Sequence, residues 1–99
     1  MKMVKLVEVY RDKNFGVRNG FKLREVYVNA AHVVCMYDDP ATVRNLKEGF
    51  LPDELDERQS FTKLHLNQGQ SLYQITVVGD TPSVQEKLGL TSKRQILHD

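Results

Sequence analysis

Between Arg11 and Arg24 the chain reads RDKNFGVRNGFKLR, interleaving five cations with two phenylalanines and two asparagines. Arginine forks and lysine point charges pair with phosphate, a phenylalanine ring stacks on a base, and an asparagine amide reads a base edge or a ribose. Arg11, Lys13, Asn14, Phe15, Arg18, Asn19, Lys22 and Arg24 are therefore chemically sufficient to hold a nucleotide or a single strand of nucleic acid, with His65 as a further ligand contact. The same letters also spell an exposed loop with Phe21 buried and the charges solvated, and His65, beside Lys63, is then a solvated histidine.

Other constellations are sparse. His32, His65 and His98 stand isolated, with no second histidine or cysteine at ligand spacing, so neither a metal nor another cofactor is expected. There is no nucleophile elbow, no phosphate loop ending in Lys-Ser/Thr and no dinucleotide fingerprint. Asp38 and Asp39 could hold a hard cation, but beside Pro40 they read better as a helix cap. Cys35 is the single cysteine; in an apolar run it is expected to be a buried small hydrophobe, and it excludes an internal disulfide. No acid–base pair or partnered nucleophile is visible, so an enzyme is the least supported class.

The elements that must position these residues follow from period and turn chemistry. Phe61 to Gly79 is a β-hairpin: Thr62, Leu64 and Leu66 alternate with Lys63, His65 and Asn67, a loop containing Gly69 intervenes, and Tyr73, Ile75 and Val77 resume the alternation. Met3 to Tyr10 reads as a strand covered on both faces, because its apolar residues fall in both phases. After the turn-rich segment to Gly20, Phe21 to Val28 is a second strand whose phase changes at Arg24-Glu25, as a β-bulge would produce. Val33 to Tyr37 is apolar enough to be a central strand. Asp39 and Pro40 start a short helix that Gly49 ends, followed by an excursion from Phe50 to Ser60 with Leu51 and Leu55 turned inward. A second short helix is capped by Thr81, led by Pro82 and closed by Gly89. The expected core is Val34, Met36, Leu64, Leu66, Tyr73, Ile75, Val77 and Leu88.

These elements make an α+β, mainly β fold: about five antiparallel strands in a small sheet or partly open barrel with two short helices. Ninety-nine residues with 40% apolar content support one core, assigned to residues 1–90, with an acidic insert at about 38–60 and a polar, frayed tail at 91–99. Residues 1–37 carry seven Lys/Arg against three acids, and residues 38–59 reverse that balance. The two blocks either neutralise each other, within the fold or across a subunit interface, or present a basic binding face. No apolar run reaches membrane-spanning length and the first residues lack a signal-peptide pattern, so a cytoplasmic protein without a membrane partner is expected. Five short strands and two short helices cannot cover every face and edge, which leads to a homo-oligomer.

VYVNAAHVVCMYDD, followed by TKLHLNQGQ and a strand running into a short helix, resembles the small FlbD family of flagellar-operon proteins. Val28-Asn29, Val33 to Met36, Thr62, Leu64, Leu66, Gly69 and Val84 to Leu88 carry the likeness, over roughly half of the chain. The basic first twenty residues, the insert from Pro40 to Gln59 and a longer last strand depart from it. The resemblance implies a small β module serving as an accessory protein of a bacterium or phage. A non-catalytic interaction or regulatory protein, binding itself or another protein, is thus the leading class, with a nucleotide or nucleic-acid binder using residues 11–24 as the alternative.

Overall fold

A computed structural model describes residues 3–11, 20–52 and 54–90. Five strands, β1 (Met3–Arg11), β2 (Phe21–Asn29), β3 (Val33–Asp38), β4 (Phe61–Gln68) and β5 (Ser71–Val78), form one antiparallel sheet in the order β2-β1-β5-β4-β3. A 3-10 turn over Ala30–His32 joins β2 to β3, helix α1 (Pro40–Lys47) follows β3, and helix α2 (Thr81–Leu88) follows β5. The fold is α+β and mainly β.

The two edge strands, β2 and β3, are consecutive in the chain and separated by just that turn. Four Cα steps reach at most about 14 Å, whereas the edges of a flat five-stranded sheet lie about 19 Å apart. The sheet is therefore strongly curled, and its concave face closes around the main core. Leu6, Val28, Leu64, Leu66 and Val77 meet there, and Val84 and Leu88 of α2 pack onto them from the open side. A second cluster lies on the outer face at one end of the sheet, where Val9 and Phe61 pack with Leu51 of the acidic excursion and with Val43 and Leu46 of α1.

The outer face of β1 is covered only at Val9, with Met3 and Val7 exposed, so β1 is not covered on both faces throughout. The β1–β2 ladder runs without interruption from Met3↔Asn29 to Arg11↔Phe21, so no bulge lies at Arg24-Glu25. Phe21 and Leu23 instead serve the outer cluster while Val26 and Val28 serve the inner core. The irregularity falls in β3, between Val33 and Cys35. β3 is an edge strand, not a central one: Val33 and Met36 contact the core, but Val34 is 58% exposed and Cys35 is exposed as well. Its apolar run is uncovered because α1 and the excursion shield the opposite end of the outer face. Tyr73, 45% exposed, also departs from the expected core, since it lies toward the β4–β5 turn, beyond the short stretch where Glu8 and Val9 of β1 pair with β5.

The hairpin turn is tighter than its polar flank suggests, because Gln68 already pairs with Ser71 and Gly69 takes φ 66°. At α2 the cap position belongs to Asp80, which makes no side-chain cap bond; Thr81 is the first helical residue and its hydroxyl donates to the Asp38 carboxylate. The strand-to-helix corner depends on Gly79, whose φ of 125° is closed to most side chains and where a Cβ would stand 3.2 Å from Val84 Cγ2. Gly79→Ala is expected to cost about 1–3 kcal/mol, read as a lowered midpoint in thermal unfolding.

Candidate functional site

The basic segment is partly committed to structure. Arg24 lies opposite Glu8 in the β1–β2 ladder and donates from Nε to Glu8 Oε1 at 2.9 Å, with its guanidinium 4.2 Å from the centre of the Tyr10 ring. The hydrogen bond from Arg24 and the Glu8 charge hold the guanidinium even more firmly protonated than usual. Glu8 is buried and Arg24 is its ion-pair partner, while 57% of the Arg24 side chain stays exposed. Arg11 stacks over Phe21, 5.3 Å from the ring centre, and Lys22 lies opposite Tyr10. Lys13, Asn14, Phe15, Arg18 and Asn19 lie outside the described residues.

His65 belongs to a different group. It stands on the outer face of β4, between Cys35 of β3 and Gln74 of β5 in the ladders, and its Nε2 lies 2.8 Å from the hydroxyl of Tyr37. The two rings are tilted against each other with centres 5.3 Å apart. One step along, Lys63 faces Tyr37 on one side and Thr76 on the other, and its ammonium lies 3.7 Å from Asp39. Alternation thus sets Cys35, Tyr37, Lys63, His65, Gln74 and Thr76 on one three-stranded surface, a grouping that period-2 reading implies but that requires the strand order to be seen.

Asp39 anchors the end of this surface. Its carboxylate, 5% exposed, accepts from the Thr42 backbone N–H at 3.2 Å, from the Thr42 hydroxyl at 2.8 Å and from the Thr76 hydroxyl at 3.0 Å. Burial alone would raise its pKa, but the Thr42 and Thr76 hydrogen bonds and the Lys63 charge together outweigh burial and hold it below the ordinary carboxylate value. The Asp38-Asp39 pair therefore builds a helix start and a joint between β3, α1 and β5. A groove of about 480 Å³ beside it is lined by Pro40, Val43, Phe61 and Pro82 together with Asp38 and Asp80. Among the described residues, no three His, Cys, Asp or Glu side chains converge as a metal site, and no helix is long and apolar enough to cross a membrane.

What the surface chiefly offers is an edge. Among the described residues no strand pairs with the outer side of β3, and from Val33 to Tyr37 it carries no charge. Val34 and Tyr37, 58% and 48% exposed, project from it. The other edge, β2, carries Lys22, Arg24 and Glu25 in its first part, charged side chains of the kind that discourage strand pairing, and is uncharged from Val26 to Asn29, where Tyr27 is exposed. The bulge at Val34 limits the regular part of β3 to Cys35–Asp38 without adding charge. An unpaired row of backbone donors and acceptors on an apolar strand recognises another extended chain. No family model, curated protein or solved structure matches this chain.

Proposed function

We propose that the chain is a small non-catalytic interaction module that takes an extended segment of a protein partner onto the edge of β3. The accessory role in a bacterium or phage suggested by the FlbD-like pattern is its setting. The observation that carries this reading is the contrast between the two edges: β2 carries Lys22, Arg24 and Glu25 in its first part, while β3 shows Val34 and Tyr37 to solvent with no charge from Val33 to Tyr37. Main-chain hydrogen bonds would supply affinity, and the outer-face Tyr37 and His65 would contact the side chains of the incoming strand. The nucleic-acid alternative is weakened by the commitment of Arg24 to Glu8.

The test uses a soluble alternating Thr-Val peptide as a generic strand. Its binding is expected to slow amide exchange in Cys35–Asp38 and leave β2 unchanged. Methylating alternate peptide nitrogens, or introducing Val34→Lys, is expected to abolish the protection. Protection at β2, or none at either edge, would refute the proposal.

A further inference from the structure

Away from the edge of β3, exposed rings gather at one end of the curled sheet. A cavity of about 370 Å³ opens where the start of β1, the end of β2, the Ala30–His32 turn and the β4–β5 hairpin come together, a volume within the range of small-molecule sites. Met3, Tyr27 and Tyr73 line it, so three of the large apolar or aromatic side chains that the fold leaves in solvent converge on one concavity. Convergence of that kind marks a binding surface, whereas apolar residues scattered singly need no explanation. Beside them stand the polar groups of Asn29, His32, Asn67 and Gln68. Asn29 accepts from the Ala31 N–H through its side-chain oxygen and keeps its NH2 group. Asn67 and Gln68 are exposed, and among the described residues nothing bonds their side-chain amides.

We infer that this cavity binds a neutral carbohydrate, with a pyranose ring laid on tyrosine and its hydroxyls on the amides. The inference is independent of the strand edge of β3. The lining selects that chemistry by what it matches and what it leaves unmatched. No lysine, arginine or carboxylate is among the described lining residues, in a chain where 27% of residues are charged. A phosphate or carboxylate therefore finds no counter-charge there, which disfavours a nucleotide. Lys5, across the ladder from Tyr27, lies 3.6 Å from Glu25. A purely apolar ligand would strip water from the amides and return no hydrogen bond, at a cost in free energy. An amide carries both donors and an acceptor, as a sugar hydroxyl does, whereas a proline-rich segment is short of donors. Tyrosine supplies a flat apolar face with a polar tip. A pyranose has the complementary form, with C–H bonds on its faces and hydroxyls around its edge.

The experiment titrates the isotope-labelled full chain with a panel of neutral disaccharides: cellobiose, lactose, maltose and N,N′-diacetylchitobiose. Backbone and side-chain amide resonances report where each binds. Adenosine and a short oligoproline are the uncharged comparison ligands, one offering a free base and the other a protein-like segment. At least one sugar is expected to give saturable shifts centred on the Asn29, Asn67 and Gln68 side chains, and to bind more tightly than either comparison ligand. Its affinity is expected to be indifferent to salt, because no ion pair is made.

Tyr73→Ala is expected to weaken sugar binding about tenfold or more while circular dichroism stays native, and Tyr73→Phe, which keeps the ring, to weaken it by less than about threefold. If Tyr73→Ala does not fold, Tyr27→Ala, at a position 61% exposed, takes its place. Val34→Lys, which charges the β3 edge, is expected to leave sugar binding unchanged, so the two sites stand or fail separately. Absence of a saturable shift with every sugar of the panel overturns the inference, as do shifts centred away from the cavity. Tighter binding of adenosine or oligoproline than of every sugar overturns it too, as does sugar binding that neither Tyr73→Ala nor Tyr27→Ala weakens.

Discussion

Leu64→Ala is expected to lose about 2–5 kcal/mol of stability, a large share of the roughly 5–15 kcal/mol that holds a domain of this size. Leu64 is 0% exposed, lies on β4 between β3 and β5, and contacts the cluster that α2 closes. Its loss removes apolar burial and leaves a cavity that strands fixed on both sides cannot collapse to fill. Leu72→Ala, at a position 65% exposed near the β4–β5 turn, is the control and should shift stability by less than about 0.5 kcal/mol. Denaturant unfolding of both variants decides the matter, and equal midpoints would refute the inward phase assigned to β4.

The second large effect falls on Asp39. Asp39→Ala removes a helix cap and strands the Thr42 N–H and the Thr76 hydroxyl, for an expected cost of about 2–4 kcal/mol. The pH dependence has a definite sign. Because the folded protein holds this carboxylate below its ordinary pKa, its stabilisation is fully present above about pH 4, the unfolded value, and is lost as pH falls through the folded value. Asp39→Asn keeps a capping side chain but cannot carry the charge, so it should be less stable than the parent at neutral pH and show a shallower loss in acid. Parallel acid-unfolding curves for the two proteins would show that Asp39 contributes nothing to the transition.

The sequence alone determined the parts of this protein whose physics is local. Strict alternation located β4 and β5, because side chains of a strand point alternately to its two faces whatever surrounds it. Asp39 before Pro40 located the start of α1, because the cap bond and the fixed proline φ act within one turn, and Gly89 located the end of α2 for the same kind of reason. The inward set of Leu64, Leu66, Val77 and Leu88 was legible in the same way.

The tertiary structure decided what covers each face. Nothing near Val34 or Cys35 in the chain distinguishes a buried apolar residue from an exposed one; the difference is where α1, Phe50, Leu51 and Leu55 settle, and they settle beside Val9 and Phe61. Cys35 is exposed, and β3 is an edge, because β5 pairs with β1 and leaves β3 with β4 alone. Arg24 pairs with Glu8, because a ladder that joins residues sixteen apart in the chain sets them face to face, with Tyr10 beneath the guanidinium. Alternation tells a strand that it has two sides, but burial is a property of the partners that arrive from elsewhere in the chain, and so is the open edge on which the proposed function depends.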